Sequence, residues 1–278
     1  MYTAASMKLA VNWSPQAERL LLSGDIDVDL WKCSDWPELV DPALETKPAY
    51  VHFPIHTSKD FAVDWEKVRM WMDKTGTTNV NMHLIAAQAD FPDIPFDSRD
   101  AEHRERVVDM MVRCIKATGD AVGIENVIVE NLPTRRTNAD GSRPLHCSVM
   151  AETIAAAIER SGCRLLLDID HARNAADVLG MDAKDYIESL PVDRIGELHA
   201  SGVQRIDGEL EDHMGMSDEC WGYFDWAIER MRSGAWATPG ICAFEYGGIG
   251  PVFRDRSDIK ILAEQVPRLF AAVHSLDK

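Results

Sequence analysis

Residues 165–171 read LLLDIDH, a short apolar run that ends in acidic and imidazole side chains. Continuous apolar runs of this length are typical of strands buried on both faces, as in a parallel sheet. The pattern recurs along the chain, and the segments between the runs are longer and amphipathic. We predict eight strands, at Lys8–Val11, Val28–Trp31, Tyr50–Phe53, Val80–Leu84, Val127–Glu130, Leu165–Ile169, Ile195–His199 and Ile241–Glu245.

The segments between the runs predict helices. Asp64–Lys74 has apolar residues at helical spacing and is followed by Gly76, which fits a helix C-cap. Eight strands that alternate with helices over 278 residues predict one (β/α)8 TIM barrel, a single domain spanning residues 1–278. The other predicted helices are Ala101–Thr118 before Gly119, Ser148–Arg160 before Gly162, Tyr223–Arg232 before Gly234, and Ile259–His274.

The alternative architecture is an open doubly wound sheet, which usually has a glycine-rich phosphate turn after its first strand. Here the first run is followed by the residues NWSP (12–15), without glycine. A glycine-rich turn does follow the eighth run, at 247–250, and we interpret it as a loop before Pro251 rather than as a phosphate site. The sequence therefore favours the closed barrel.

The charge of the chain bears on its partners. The sequence contains 29 Lys+Arg and 46 Asp+Glu, a formal net charge of −17, whereas a nucleic-acid binder needs a basic surface. Residues 1–10 lack an apolar signal segment, and the chain has no run of 18 apolar residues that would span a membrane. The six cysteines form no C-x-x-C pair. We expect a cytoplasmic protein with reduced thiols and neither nucleic-acid nor membrane partners.

Polar side chains stand at the ends of six consecutive predicted strands. The carboxyl ends of barrel strands meet at one mouth, where the chemistry of such barrels is found. Histidine and carboxylate side chains are ligands of zinc, iron and manganese, and without cations the converging carboxylates would raise one another's pKa. We therefore predict a multinuclear metal site. In chain order its candidates are His52 or His56, His83, Glu130, Asp168, His171, His199, Glu211 or Asp212, His213 and Glu245.

Several other chemistries are excluded by the sequence. It contains no G-x-S-x-G elbow, no G-x-x-x-x-G-K-[ST] phosphate loop and no H-E-x-x-H motif. A pair of carboxylates that works without a metal would leave the histidines unexplained. The polar strand ends therefore favour a metal-dependent enzyme.

The ordered ligand set resembles that of the xylose-isomerase-like barrels, which include sugar isomerases, epimerases and endonuclease IV-type nucleases. A narrower resemblance covers about residues 120–250. Residues 162–202, GCRLLLDIDHARNAADVLGMDAKDYIESLPVDRIGELHASG, are similar to the DUF692 family, also called multinuclear non-haem iron-dependent oxidative enzymes (MNIO). The shared features are an Asp after an apolar run, a D-x-x-x-Y turn, an L-P pair and an E-[IL]-H strand. Here they are Asp168, Asp182 with Tyr186, Leu190-Pro191 and Glu197-Leu198-His199.

Two further segments carry the resemblance, and the chain departs from the family at three places. VIVEN (127–131) is similar to the family's E-N strand end, and SDECWGYFDWAIERM (217–231) to the helix after its metal loop. The family's D-x-H loop has Glu211 in first place here, its H-L-A-G reads HASG (199–202), and its frequent Asn near Asp168 is His171. The chain is therefore identified as a divergent member.

The resemblance implies two or three iron ions, with zinc or manganese as alternatives, and O2 as the oxidant. Such enzymes modify cysteine or other side chains of ribosomally made precursor peptides, often with a separate peptide-binding partner protein. The resemblance implies that Glu130, Asp168 and Glu245 are catalytic, and that Glu130 bridges the first and second ions. The remaining implied ligands are His52 and His83 for the first ion, Asp168, His199 and Glu245 for the second, and His171, Glu211 and His213 for the third.

The alternative function is redox-neutral. A sugar isomerase or epimerase would need one ion, held by Glu130, Asp168, His199 and Glu245. Arg205 is then a substrate-binding candidate for a sugar oxygen, and Asn131 at the end of VIVEN is a second substrate-binding candidate. An endonuclease IV-like phosphoesterase would use all nine ligands, but the chain lacks the basic surface that nucleic acid requires.

Overall fold

In the computed structural model, which describes residues 6–138, 141–247 and 257–277, eight parallel strands form a barrel flanked by helices. The strands are β1 (Lys8–Asn12), β2 (Leu30–Ser34), β3 (Ala49–His52), β4 (Val80–His83), β5 (Val127–Glu130), β6 (Arg164–Asp168), β7 (Ile195–Ala200) and β10 (Ile241–Phe244). Their order in the sheet is β3-β2-β1-β10-β7-β6-β5-β4, so the first strand pairs with the last. The predicted barrel is confirmed, and each predicted run overlaps one strand.

Helices connect most of the strands. No helix within the described ranges is long and apolar enough to cross a membrane. The helices are α1 (Pro15–Ser23), α2 (Pro37–Thr46), α3 (Trp65–Thr75), α4 (Ala101–Val122), α5 (Ala151–Ser161), α6 (Ile169–Leu179), α7 (Ala183–Glu188), α8 (Asp218–Arg232) and α9 (Ile259–His274). Most of the glycine-rich turn after β10, residues 248–250, lies outside the described residues.

Two helices are longer than predicted, and a third, α5, begins three residues after its predicted start at Ser148. α4 continues past Gly119, which packs against Ile124, and ends at Gly123, whose φ of 89° is accessible mainly to glycine. α8 begins well before Tyr223, because the Ser217 hydroxyl accepts a hydrogen bond from the Cys220 amide and caps its first turn. Both helices are therefore longer than their sequence patterns indicated.

The seam between β3 and β4 leaves the barrel nearly closed rather than closed. These strands share no ladder, and one isolated bridge joins His56 to His83. The Asn81 side chain takes the place of backbone pairs, since its Oδ1 accepts from Phe53 N at 2.6 Å and its Nδ2 donates to Phe53 O at 2.9 Å. A side chain thus supplies the closure that the two short strands lack.

The barrel interior changes from apolar to polar along the strands. Ala10, Tyr50 and Ala243 form a small buried layer inside the barrel, separate from the main core. Residues two apart on a strand share a face, so the next inward positions are Asn12, His52 and Glu245, at the carboxyl ends. The polar site therefore lies directly on an apolar floor.

A two-stranded antiparallel hairpin follows β7 and lies outside the barrel sheet. It consists of β8 (Gly202–Ile206) and β9 (Glu209–Met214). Its turn residues Asp207 and Gly208 have φ values of 51° and 86°, as a tight hairpin turn requires. The sequence analysis did not predict this hairpin, which carries Asp212 and His213.

Candidate metal centre

The carboxyl ends of the strands bring the predicted ligands together. Parallel pairing sets their register: His83 lies opposite Glu130, and Asp168 lies opposite His199 on the neighbouring strand. Among the described residues, ligand atoms that lie within 4.8 Å of one another form four groups. One of them, His52 with His199 and Glu245, joins two of the others, and we call the remaining three the first, second and third clusters. The first contains His52, His83 and Glu130; the second contains Glu130, Asp168, His199 and Glu245; the third contains His171, Asp212 and His213.

Glu130 connects the clusters. Its Oε2 lies 3.2 Å from His83 Nε2 and 3.5 Å from His52 Nε2. Its Oε1 lies 3.1 Å from His171 Nδ1 and 3.8 Å from His199 Nδ1. The residue is 2% exposed, and Oε2 makes no hydrogen bond with any described residue. A buried carboxylate oxygen without a donor is costly, and a cation on it removes that cost.

The orientation of His199 is set from the floor of the barrel. Its Nε2 donates to Glu197 Oε1 at 2.8 Å, and the same oxygen accepts from the Tyr50 hydroxyl at 2.6 Å. His199 Nδ1 is then the lone-pair nitrogen, lies 3.3 Å from Glu245 Oε1 and makes no hydrogen bond within the described ranges. A carboxylate behind an imidazole in this way is typical of metal-binding histidines.

Backbone carbonyls orient the two histidines of the third cluster. His171 Nδ1 donates to Asn131 O at 3.0 Å, and His213 Nδ1 donates to Glu245 O at 2.7 Å. The Nε2 atoms therefore face Asp212, at 2.9 Å from Oδ2 for His171 and 3.9 Å from Oδ1 for His213. One carboxylate and two imidazole nitrogens converge on one point, as a divalent ion requires.

The carboxyl groups of the centre have opposed pKa shifts. Burial opposes ionisation of Glu130, but the surrounding imidazoles, His83 first among them, hold its pKa well below the usual value. Burial, reinforced by the charge of Glu245, holds the pKa of Asp168 well above the usual value. Acids that share one buried site cannot all ionise, so the pKa of one is lowered and that of another is raised. Bound cations reduce the repulsion between the carboxylates and allow more of them to ionise.

Lys32 is a charged residue of the centre that the sequence analysis missed. It lies on β2, is 4% exposed, and its ammonium contacts Glu245 Oε1. With Asn12, Ser34 and the first cluster it lines a cavity of about 160 Å³. The available signal was a lysine at the centre of LWKCS, a strand whose neighbouring residues are apolar.

The structure brings eight of the nine predicted ligands into the clusters and leaves out Glu211. Glu211 Oε1 lies 2.6 Å from Arg135 Nη2, and Asp212, the alternative, lies beside His171. Strict alternation would place Glu211 and His213 on one face of β9. The left-handed backbone of His213, with φ of 57°, breaks this alternation and places His213 beside Asp212.

The alternative candidate His56 is exposed at the seam and belongs to none of the clusters, whereas His52 is a member of the first cluster. Neither predicted substrate-binding residue reaches the cavity. Asn131 is buried and bonds to the backbone of Asp168 through both Nδ2 and Oδ1, at 2.9 and 3.0 Å. Arg205 pairs with Asp177 at 2.9 Å on the outer surface.

The chain is similar in sequence to known proteins. A family model described as "RiPP precursor modification enzyme MbnB/TglH/ChrH" matches residues 101–237. A UPF0276 protein of Chromobacterium violaceum is 25% identical over 59% of this chain and 58% of its own length. A UPF0276 protein of Acaryochloris marina is 37% identical over 28% of this chain and 29% of its own length. The matches thus span between about a third and three fifths of these relatives.

Solved structures share the fold at low sequence identity. D-allulose 3-epimerase from Methylomonas sp. has a TM-score of 0.56 at 14% identity, covering 98% of this chain and 100% of that one. The probable 3-DHS dehydratase AsbF from Bacillus anthracis has a TM-score of 0.56 at 13% identity, covering 95% and 98%. These likenesses support the predicted TIM-barrel fold.

Proposed function

We propose that this chain is a divergent member of the MbnB/TglH/ChrH family, the DUF692 family that its sequence resembles. On that premise we propose that it is a metal-dependent oxidative enzyme acting on a peptide. The proposed reaction uses O2 to modify a peptide side chain or a small thiol, with cysteine of a ribosomally made precursor as the first candidate. One observation carries the proposal: the buried carboxylate of Glu130 is shared by the first and second clusters at the barrel mouth and lies 3.1 Å from His171 of the third.

The proposed cofactor is two or three iron ions, with zinc or manganese as alternatives. The donor set fits such ions, because buried acceptor atoms of Glu130 and His199 make no hydrogen bond in the described part of the chain. Bound iron supplies one-electron redox chemistry and open coordination positions for O2 and a thiolate. The first, second and third clusters would each hold one ion, with Glu130 shared by the first two and Asp212 taking the place predicted for Glu211.

The residues of the chain hold the centre and limit access to it. The second cluster is buried, whereas the imidazoles of the first are partly exposed, with His83 at 25% and His52 at 15%. The cavity of about 160 Å³ reaches the first cluster and has room for one side chain. In this proposal one substrate side chain enters beside His52 and His83, and the rest of the peptide stays outside, on this chain or on a separate peptide-binding partner.

A redox-neutral sugar isomerase or epimerase is the second candidate. Glu130, Asp168, His199 and Glu245 alone form a complete buried set for one divalent ion, which favours it. It leaves the first and third clusters without a role, and Arg205 lies outside the cavity. For a phosphoesterase acting on nucleic acid, the net charge of −17 is unfavourable.

Oxygen uptake distinguishes these candidates. The chain is purified without oxygen, loaded with Fe(II) or Zn(II), and mixed with a cysteine-containing peptide in an oxygen electrode. We expect peptide-dependent uptake with iron and none with zinc. Glu130→Gln should abolish uptake, whereas Glu105→Gln, which removes the charge of a surface partner of Arg160, should not. Zinc-loaded protein that transforms a substrate as fast as iron-loaded protein, without O2 uptake, would contradict the oxidative function.

A further inference from the structure

Lys32 is a buried cation that the proposed metal chemistry does not use. Its ammonium contacts Glu245, its one acidic partner among the described residues. Its charge also acts on the first cluster: burial, and then the charge of Lys32, hold the pKa of His52 well below the usual value. A lysine at this depth needs a reason, because a buried ammonium is costly unless it is well paired.

The charge of the loaded centre makes Lys32 unnecessary as a counter-ion. The three clusters contain four carboxylates, and their histidines bind metal as neutral imidazoles. Two divalent ions already balance four carboxylates, and a third leaves positive charge in excess. The ammonium then adds a further positive charge beside Glu245, whose own charge is taken up by the metal. With Glu245 bound to metal, Lys32 would therefore have no anion of its own.

The cavity provides the place for that anion. Lys32 and Ser34 line the same cavity as His52 and His83, so a ligand there meets an ammonium and a hydroxyl on one side and the first cluster on the other. A thiolate is a soft ligand that binds the ions, whereas an ammonium prefers a hard oxygen anion. Among peptide groups, the carboxylate is that anion.

We propose that Lys32 and Ser34 form a carboxylate-binding subsite of the substrate pocket, next to the metal centre. The inference rests on the proposed function, because it requires the ions to be bound. Lys32 would hold a carboxylate of the substrate while the reacting side chain lies against the first cluster. The carboxylate comes from a peptide C-terminus or from an acidic side chain.

Thiol binding to the zinc-loaded full chain tests the subsite. Calorimetry compares 3-mercaptopropionate with 2-mercaptoethanol, which share the thiol and differ in the carboxylate. We expect the wild type to bind the carboxylate about tenfold more tightly or better, as expected for one charged hydrogen bond. Lys32→Met and Lys32→Gln should both remove this preference at unchanged metal content. The matched control Lys67→Met changes a lysine that pairs with Asp35 and lines the neighbouring cavity, and should keep the preference.

Two results would overturn the subsite: a wild type without the preference, or Lys32 variants that keep it or lose metal instead. Metal loss would make Lys32 a counter-ion of Glu245. Because zinc supports no oxidation, this measurement does not depend on O2 chemistry. If the protein prefers the carboxylate thiol but shows no O2 uptake when loaded with iron, the subsite stands and the oxidative function is contradicted. If it takes up O2 but shows no such preference, only the subsite is contradicted.

Two peptide pairs identify the source of the carboxylate. Gly-Cys with a free C-terminus is compared with Gly-Cys-amide, and Cys-Asp-amide is compared with Cys-Asn-amide. Tighter binding of Gly-Cys than of its amide supports a terminal carboxylate. Tighter binding of Cys-Asp-amide than of Cys-Asn-amide supports a side-chain carboxylate. Equal affinities within both pairs would contradict the subsite for peptides.

Discussion

His199 Nε2 lies 2.8 Å from Glu197 Oε1, two residues earlier on the same strand and on the same inward face. The Tyr50 hydroxyl, 2.6 Å from the same oxygen, extends this contact to the apolar floor of the barrel. The ring of His199 is therefore held by packed strands rather than by a loop. Sites built on rigid elements with such supporting contacts keep their geometry best.

The first prediction concerns this supporting contact. Glu197→Gln keeps the shape of the side chain but removes the charge behind His199, so metal affinity at the second cluster should fall by about 10–100-fold. Tyr50→Phe should have a smaller effect in the same direction, because it removes a neutral donor. Competition with a chromophoric chelator measures both. Glu188→Gln, which alters a surface pair with Arg230, is the matched control; equal affinities in all four proteins would contradict the supporting role of Glu197.

The second prediction separates Asp212 from Glu211. Asp212→Asn removes the carboxylate that lies 2.9 Å from His171, and should lower the number of bound ions per chain. Glu211→Gln weakens only the contact with Arg135 and should leave that number unchanged. Elemental analysis of the folded variants measures the number of ions per chain. Fewer ions in Glu211→Gln, with an unchanged number in Asp212→Asn, would instead identify Glu211 as the ligand.

An ion-pair network ties the hairpin to α6. Asp177 accepts from Arg136 at 2.8 Å and from Arg205 at 2.9 Å. Both arginines also donate to the carbonyl oxygen of Gly208 at the hairpin tip, at 3.1 and 2.8 Å. Because α6 carries His171 and the hairpin carries the other two members of the third cluster, this network holds the two parts of that cluster together.

The third prediction follows from this network. Asp177→Asn should raise the amide hydrogen exchange of residues 202–214 and weaken metal binding at the third cluster by a few-fold, about 1 kcal/mol for a partly exposed network. Binding at the second cluster should not change. Asp225→Asn, which breaks a surface pair with Arg268, is the control. Unchanged exchange in the hairpin of Asp177→Asn would show that backbone pairing alone holds it.

The fourth prediction concerns metal removal. A ligand that binds only the folded state at 100 times its Kd stabilises that state by about 2.7 kcal/mol, which for a chain of this size shifts Tm by roughly 5–10 °C. Chelation should therefore lower the Tm of the wild type by this amount. Glu130→Gln, which weakens the shared ligand, should respond less. A wild-type Tm that chelation leaves unchanged would contradict a metal centre in the native state.

The barrel could be read from the sequence because each of its strands is an apolar run buried on both faces. The hairpin could not, because Gln204, Arg205 and Ile206 are exposed and form no such run. The pair Asp207-Gly208 was its one sequence signal, since both residues tolerate positive φ. Strands whose residues are exposed therefore cannot be recognised from apolar runs in the sequence.

The convergence of the candidate ligands at the strand ends was predictable because parallel strands carry their carboxyl ends to one mouth. Which of Glu211 and Asp212 lies beside His171 was not, since it depends on the left-handed backbone of His213, which the sequence does not indicate. Lys32 was missed because it lies within a strand rather than after one. Its inward direction follows only from the register of β2 with its neighbours.

The number of ions per chain tests the central claim, a multinuclear centre joined by Glu130, most directly. It is measured by elemental analysis of protein purified without oxygen, for the wild type, His83→Ala and His213→Ala. We predict more than one ion per wild-type chain, and fewer in each variant while the barrel stays folded. One ion per chain in all three proteins would contradict the claim and would fit the single-metal site of an epimerase.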